Sequence, residues 1–268
     1  MTSDAEPDRY AEIAAAPAAF SLTGRHVVVT GAGRGLGQGI AVSAGLAGAS
    51  VTAVARSADQ LDETVRLIKD RGGDCVAQVA DLTDLDAIPA LAAALDRHRP
   101  VDGIVHAAGV QIRKAAVEYS VAEWRQVQTV NVEAPFFLST ALARAQQAAG
   151  RPGSHVFVGS LASTIGLPRG AAYAASKTAL LGVARTLSTE LAALGIRANV
   201  LGPGYFPTQL TADLLSDPAH RTRILGRIPM GRLGTPADLA GVAVFLLSDA
   251  ARYVTGQLIN VDGGWLGS

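Results

Sequence analysis

Cysteine occurs once in this chain, as Cys75. One thiol excludes an internal disulfide and fits a reducing compartment. Its apolar neighbours predict a small hydrophobe at the start of a buried strand. Charge is sparse and balanced, with 23 Lys and Arg against 23 Asp and Glu and a formal net charge of zero. No global field therefore draws in nucleic acid or an anionic membrane surface. Long apolar runs are also missing: no stretch of about 18–20 residues is free of charges and breakers, so no membrane span is expected. The opening MTSDAEPDRYAEIAAAPAAF places acidic residues early and has no apolar run after a basic start. That is a poor signal peptide. It predicts a flexible arm over residues 1–20 with a short helical piece, and a cytoplasmic protein. The five histidines show no ligand spacing with carboxylates, so no metal site is expected.

What is present is a large apolar fraction, 49% of 268 residues, enough for a sizeable core and for one α/β domain over 21–268. Short apolar runs recur at 25–30, 50–55, 75–80, 101–107, 154–160, 196–202 and 257–263. Between them lie helical patterns at about 35–47, 58–72, 85–98, 121–148 and 171–194. Seven apolar strands alternating with helices predict a doubly wound, parallel sheet flanked by helices on both faces.

Two local patterns carry chemistry. Directly after the first strand comes TGAGRGLG, residues 30–37. Glycines at that place let the backbone turn tightly and approach a pyrophosphate at the following helix N-terminus. Far downstream, PRGAAYAASKTALLG places Tyr173 and Lys177 one helical turn apart among small and apolar residues. An isolated Y-x-x-x-K is ordinarily a surface helix, and only its context raises it above that.

The glycine spacing with the downstream Tyr/Lys pair resembles the short-chain dehydrogenase/reductase family, over about residues 20–266. The resemblance implies a seven-stranded Rossmann fold. It places the cofactor on Gly31, Arg34, Gly35, Leu36 and Gly37, on Asp81 and Leu82 after the third strand, and on Ala108 and Gly109. Pro203, Gly204 and Thr208 after the sixth strand complete that set. It implies Asn131, Ser160, Tyr173 and Lys177 as the catalytic residues of hydride transfer between a nicotinamide and a carbinol or carbonyl carbon. Tyr173 would be the acid–base group, with its pKa lowered by Lys177, which also binds the ribose, and by an oxidised nicotinamide ring. Ser160 holds the substrate oxygen, and Asn131 anchors a water in a proton relay. The family's usual Asn-Asn-Ala-Gly reads HAAG here, so His106 either replaces a lost side-chain bond or is a satisfied core histidine.

An acidic residue ordinarily closes the second strand of NAD-preferring folds to bind the ribose 2′-OH. Ala55 and Arg56 stand there instead. With Arg34 in the glycine loop, Arg56 favours NADP(H) over NAD(H), since a guanidinium grips a 2′-phosphate. The alternatives are a solvated Arg34 and an Arg56 paired with Asp59. Stretches such as GVQIRKAAVEYS, GPGYFPTQLTADLL and RIPMGRLGTPADLAG resemble the sugar-acid members of the family, the gluconate 5-dehydrogenases and ketodeoxygluconate dehydrogenases. On that reading Arg113, with Gln111 and Tyr205, meets a substrate carboxylate, and Arg169 is a further candidate. Arg113 could instead pair with Glu118 or be solvated. Trp265 either lines a neighbouring subunit's site or packs at an interface of a homotetramer or homodimer. A 3-oxoacyl thioester or neutral ketone reductase, and a nicotinamide-binding sensor, remain the other readings.

Overall fold

The computed structural model describes residues 18–268. The arm expected over 1–20 lies outside the described residues as far as 17. Ala18–Phe20 form a 3-10 turn whose Phe20 ring packs 6.1 Å from that of Phe245.

Seven strands form one parallel sheet: β1 (His26–Thr30), β2 (Ser50–Ala55), β3 (Asp74–Val79), β4 (Gly103–His106), β5 (Gly153–Val158), β6 (Ile196–Pro203) and β7 (Leu258–Val261). Their order is β3-β2-β1-β4-β5-β6-β7. Both faces are covered, which explains the continuous apolar strands: His26–Thr30 and Gly153–Val158 are buried at every position. Alternate residues serve opposite faces. Val27 and Val29 face α1 (Gly35–Leu46), α2 (Ala58–Lys69) and α9 (Pro236–Leu247), with Ile40, Leu61 and Leu246 against them. Val28 and Ile104 face α3 (Ile88–His98) and α5 (Ala134–Ala148). Phe157 and Val200 face α6 (Ala171–Leu191) through Leu180 and Ala184.

Every expected strand is present within two or three residues of its predicted bounds. Cys75 is the second residue of β3, fully buried, and burial pushes its thiol up to about 11, which leaves it inert. The helix expected over 121–148 is interrupted. α4 (Val121–Gln128) passes into a π turn, Thr129–Glu133, before α5 begins. Three helices between β6 and β7 were not anticipated: α7 (Ala212–Ser216), α8 (Pro218–Arg227) and α9. No helix of the described residues is long and apolar enough to cross a membrane.

Candidate active site

Strand order reverses between β1 and β4, and a doubly wound sheet opens a crevice at such a point, beyond the strand C-termini. A cleft of about 1780 Å³ lies there. Two glycines make its floor. Gly31 sits at φ +66°, and a Cβ on it would come within 2.6 Å of the Ala108 nitrogen; a Cβ on Gly37 would collide with the Gly31 carbonyl. Chain crossing this close leaves a shallow backbone bed at the start of α1, of the kind that admits a pyrophosphate. The residues present therefore fit a dinucleotide.

Every predicted cofactor and substrate residue lines this one cleft, and among the four predicted catalytic residues all but Asn131 do. Leu36 and Gly35 come from α1, Asp81 and Leu82 from the turn after β3, Gly109, Gln111 and Arg113 from the loop after β4, and Gly204, Tyr205 and Thr208 from the segment after β6. Arg34 and Arg56 are both exposed and neither forms an ion pair among the described residues, so the expected alternative of Arg56 bound to Asp59 is not what the structure has. Asp81 is held below its ordinary range first by the Thr83 backbone N–H and more weakly by Arg56.

Asn131 sits 1% exposed in the π turn, one position behind the cleft wall. Its Oδ1 accepts the Val110 N–H at 2.8 Å, while its Nδ2 donates to the Val110 carbonyl and the Ser176 hydroxyl, each at 3.0 Å. Both amide donors are thus committed within the protein. The side chain fixes the turn at Val110. The extra residue of the π turn explains how a helical side chain can reach that loop, and such turns recur at functional sites.

Helix α6 presents Ala172, Ser176, Lys177, Leu180 and Ala184 to the sheet, so small residues let it lie close and Lys177 is drawn inside. The Lys177 Nζ is 5.6 Å from the Tyr173 ring centroid. Tyr173 is half-buried and shares the cleft with Ser160, whose hydroxyl also accepts the Ala162 N–H at 3.2 Å. Burial pushes the phenol above its ordinary pKa of 10.0; the Ser160 hydroxyl and then the Arg113 charge pull it back. Burial alone lowers Lys177, to about 8. Within the chain itself burial prevails at the phenol, with Arg113 as a charge that opposes it and the Lys177 ammonium standing beside the ring.

Arg113 has no carboxylate partner among the described residues. Its Nη2 makes only a long bond of 3.5 Å to the Leu210 carbonyl, while Glu118 instead accepts the Ala115 N–H. Arg169, also in the cleft wall, is the one non-glycine residue of the described chain with positive φ, at 60°. Trp265 is 5% exposed, packed at 4.8 Å on Tyr205 and part of this chain's own cleft wall. His106 is buried with its Nε2 2.7 Å from the Ser139 hydroxyl and its ring stacked 4.9 Å from Phe157. It is the satisfied core histidine of the two readings.

The sequence reading missed the outer wall. His220, Arg223, Ile224 and Arg227 lie on one face of α8 and line the cleft. Their spacing of three and four residues was the available signal.

The family model described as enoyl-(acyl carrier protein) reductase matches residues 31–266. A 2-dehydro-3-deoxy-D-gluconate 5-dehydrogenase of Escherichia coli strain K12 is 40% identical over 252 residues, 92% of this chain and 98% of the relative. A Beutenbergia cavernae protein solved with NADP bound at low occupancy is 46% identical, with a TM-score of 0.90 over 93% of this chain and 100% of the other. A gluconate 5-dehydrogenase of Burkholderia cenocepacia, solved with NADP and tartrate, is 32% identical, with a TM-score of 0.89 over 93% of this chain and 98% of its own.

Proposed function

The chain belongs to the short-chain dehydrogenase/reductase family and is an NAD(P)-dependent oxidoreductase of CH–OH groups; from that premise we propose that it oxidises or reduces a sugar acid such as gluconate or a keto-gluconate, using NADP(H) in preference to NAD(H). The single observation that carries the substrate class is Arg113, a guanidinium that has no ion-pair partner among the described residues, shares the cleft with Tyr173 and acts on its phenol. A carboxylate is the group such a fork binds best. The relatives' names point the same way: one acts on a deoxygluconate, and another is a gluconate dehydrogenase holding a dicarboxylate.

When bound, the nicotinamide supplies the hydride exchange. The glycine bed would hold its pyrophosphate, Arg34 and Arg56 a 2′-phosphate, and Asp81 with Leu82 the adenine. Tyr173 gives its phenolic proton to the substrate oxygen on reduction and takes it back on oxidation. Ser160 donates to the same oxygen and stabilises charge there. Lys177 keeps a positive charge behind the ring, and Asn131 holds the Val110 turn that carries Gly109 and Gln111 to their places.

Nicotinamide absorbance with purified protein tests this, with NADP or NAD offered beside D-gluconate and neutral secondary alcohols. Turnover of the acid with NADP is expected, and Arg113→Ala should raise its KM roughly tenfold to hundredfold, the worth of a hydrogen bond to a charged group. Turnover of neutral alcohols alone would sink the sugar-acid reading.

A further inference from the structure

The charges lining the cleft are lopsided: seven Arg and Lys against three Asp, in a chain whose formal charge is zero. Two of the cations flank the glycine bed, and Lys177 lies behind Tyr173. The rest stand on the substrate side. Beyond Arg113 the wall is built by α8, whose Ile224 is 3% exposed and locked in a small core with Leu161 and Trp265. That anchor fixes which face of α8 the cleft sees, and Arg223 and Arg227 lie on it.

The Arg227 guanidinium stacks over the Trp265 ring with its Cζ 4.5 Å from the centroid, and Trp265 packs on Tyr205. A stacked guanidinium keeps its N–H edge free for a planar oxyanion. Arg113, Arg223 and Arg227 all bear on the Tyr205 phenol, whereas of these only Arg113 bears on Tyr173. Arg113 comes from the loop after β4 that also carries Gly109 and Gln111, whereas Arg223 and Arg227 stand on α8.

Neither Arg223 nor Arg227 forms an ion pair among the described residues. The nearby acids do not neutralise them. Asp217 accepts the Ala219 N–H at 2.8 Å and lies 2.6 Å from His220 Nδ1, and Asp213 makes no ion pair. Like charges gathered without counterions repel each other, and an anionic ligand removes that cost.

We propose that Arg223 and Arg227, backed by Tyr205 and Trp265, form a second anion subsite, and that the preferred substrate is a dianion: a polyhydroxy acid with another oxyanion at the end remote from the first. This rests on the sugar-acid reading and deepens it. The shared chemistry is the second oxyanion, which either a carboxylate or a phosphate provides.

Three six-carbon probes separate the cases: D-gluconate with one anionic group, D-glucarate with a second carboxylate, and 6-phospho-D-gluconate with a phosphate. At low ionic strength at least one of the latter two should exceed gluconate by tenfold or more in kcat/KM, and which one does so identifies the oxyanion. Arg223→Ala with Arg227→Ala should bring that ratio close to one, while Arg71→Ala, remote from the cleft, leaves it as it was.

Binding gives a readout independent of turnover. Trp124 and Trp265 are the chain's two tryptophans, so in a Trp124→Phe background Trp265 alone reports on its arginine neighbour. A dianion should change this emission with a Kd at least tenfold below that of gluconate, and Arg227→Ala should erase the difference. Dianions that bind no tighter than gluconate would overturn the subsite even if gluconate is a good substrate. If no acid is turned over, the sugar-acid reading falls, and the fluorescence titration still decides the subsite.

Discussion

Lys177 reaches from α6 to the end of β5, where its Nζ donates to the Val158 carbonyl at 2.7 Å. The residue is 4% exposed, and burial holds its pKa near 8 instead of the ordinary 10.5. Below pH 8 the folded and unfolded chains both hold the proton, and the fold bears the whole cost of a buried charge. Between 8 and 10.5 the folded chain releases it first, so the unfolded state binds more protons and the stability from this site rises with pH. The span corresponds to about 3 kcal/mol. Lys177→Met has no such dependence, so its stability relative to wild type should fall by up to that amount from pH 7.5 to 10.5. Urea unfolding at several pH values measures it, and parallel curves would show an ammonium that stays charged.

Tyr173→Phe removes one oxygen and keeps the ring beside Lys177. The expected loss in kcat is roughly 10²- to 10⁴-fold, the range for a positioned acid–base group. NADP binding, followed by calorimetry, should be unchanged. Near-normal turnover with normal cofactor binding would remove Tyr173 from the chemistry.

The contrast between Tyr173 and Asn131 shows what the sequence made legible. The strands could be read because a sheet covered on both faces needs continuous apolar runs, as in His26–Thr30. Tyr173 and Lys177 could be placed because i, i+4 on a helix means a shared face. The π turn at Thr129–Glu133 could not, since one added residue in a turn leaves the apolar pattern of a long helix almost intact. The outer wall was hidden for another reason. α7 is five residues and α8 ten, too short and polar for a clear periodicity, and Arg223 and Arg227 gain meaning only once Ile224 is seen docked beside Trp265. The burial that raises the Tyr173 phenol was not legible, because desolvation depends on packing, which a spacing does not disclose.

The preference for NADP(H) proposed above rests on Arg56. It follows β2 where an acidic residue would bind a 2′-OH, it faces the cleft, and no carboxylate among the described residues forms an ion pair with it. Arg56→Ala should raise the KM for NADPH roughly tenfold or more, the worth of a charge-assisted bond, and that for NADH much less. The NADPH effect should shrink as salt is added, because an exposed cation is screened. Equal changes for the two cofactors would take Arg56 out of phosphate recognition.

His106 separates a core role from a catalytic one. Its ring is stacked on Phe157 and bonded to Ser139, out of reach of the cleft surface, and burial followed by the neighbouring His155 pushes its pKa well below 6.5. The folded chain keeps it neutral while the unfolded chain takes up a proton below pH 6.5, so this site lowers stability as pH falls through that value. His106→Asn should therefore cost about 1–3 kcal/mol at pH 7, the range for a buried polar partner left unsatisfied. The gap from wild type should narrow towards pH 5, where the histidine itself becomes a liability. His155, whose pKa burial lowers to about 4, stays in both proteins and does not disturb the comparison. Turnover per folded molecule should change less than twofold. A large fall in kcat with an unchanged unfolding profile would instead make His106 part of the reaction.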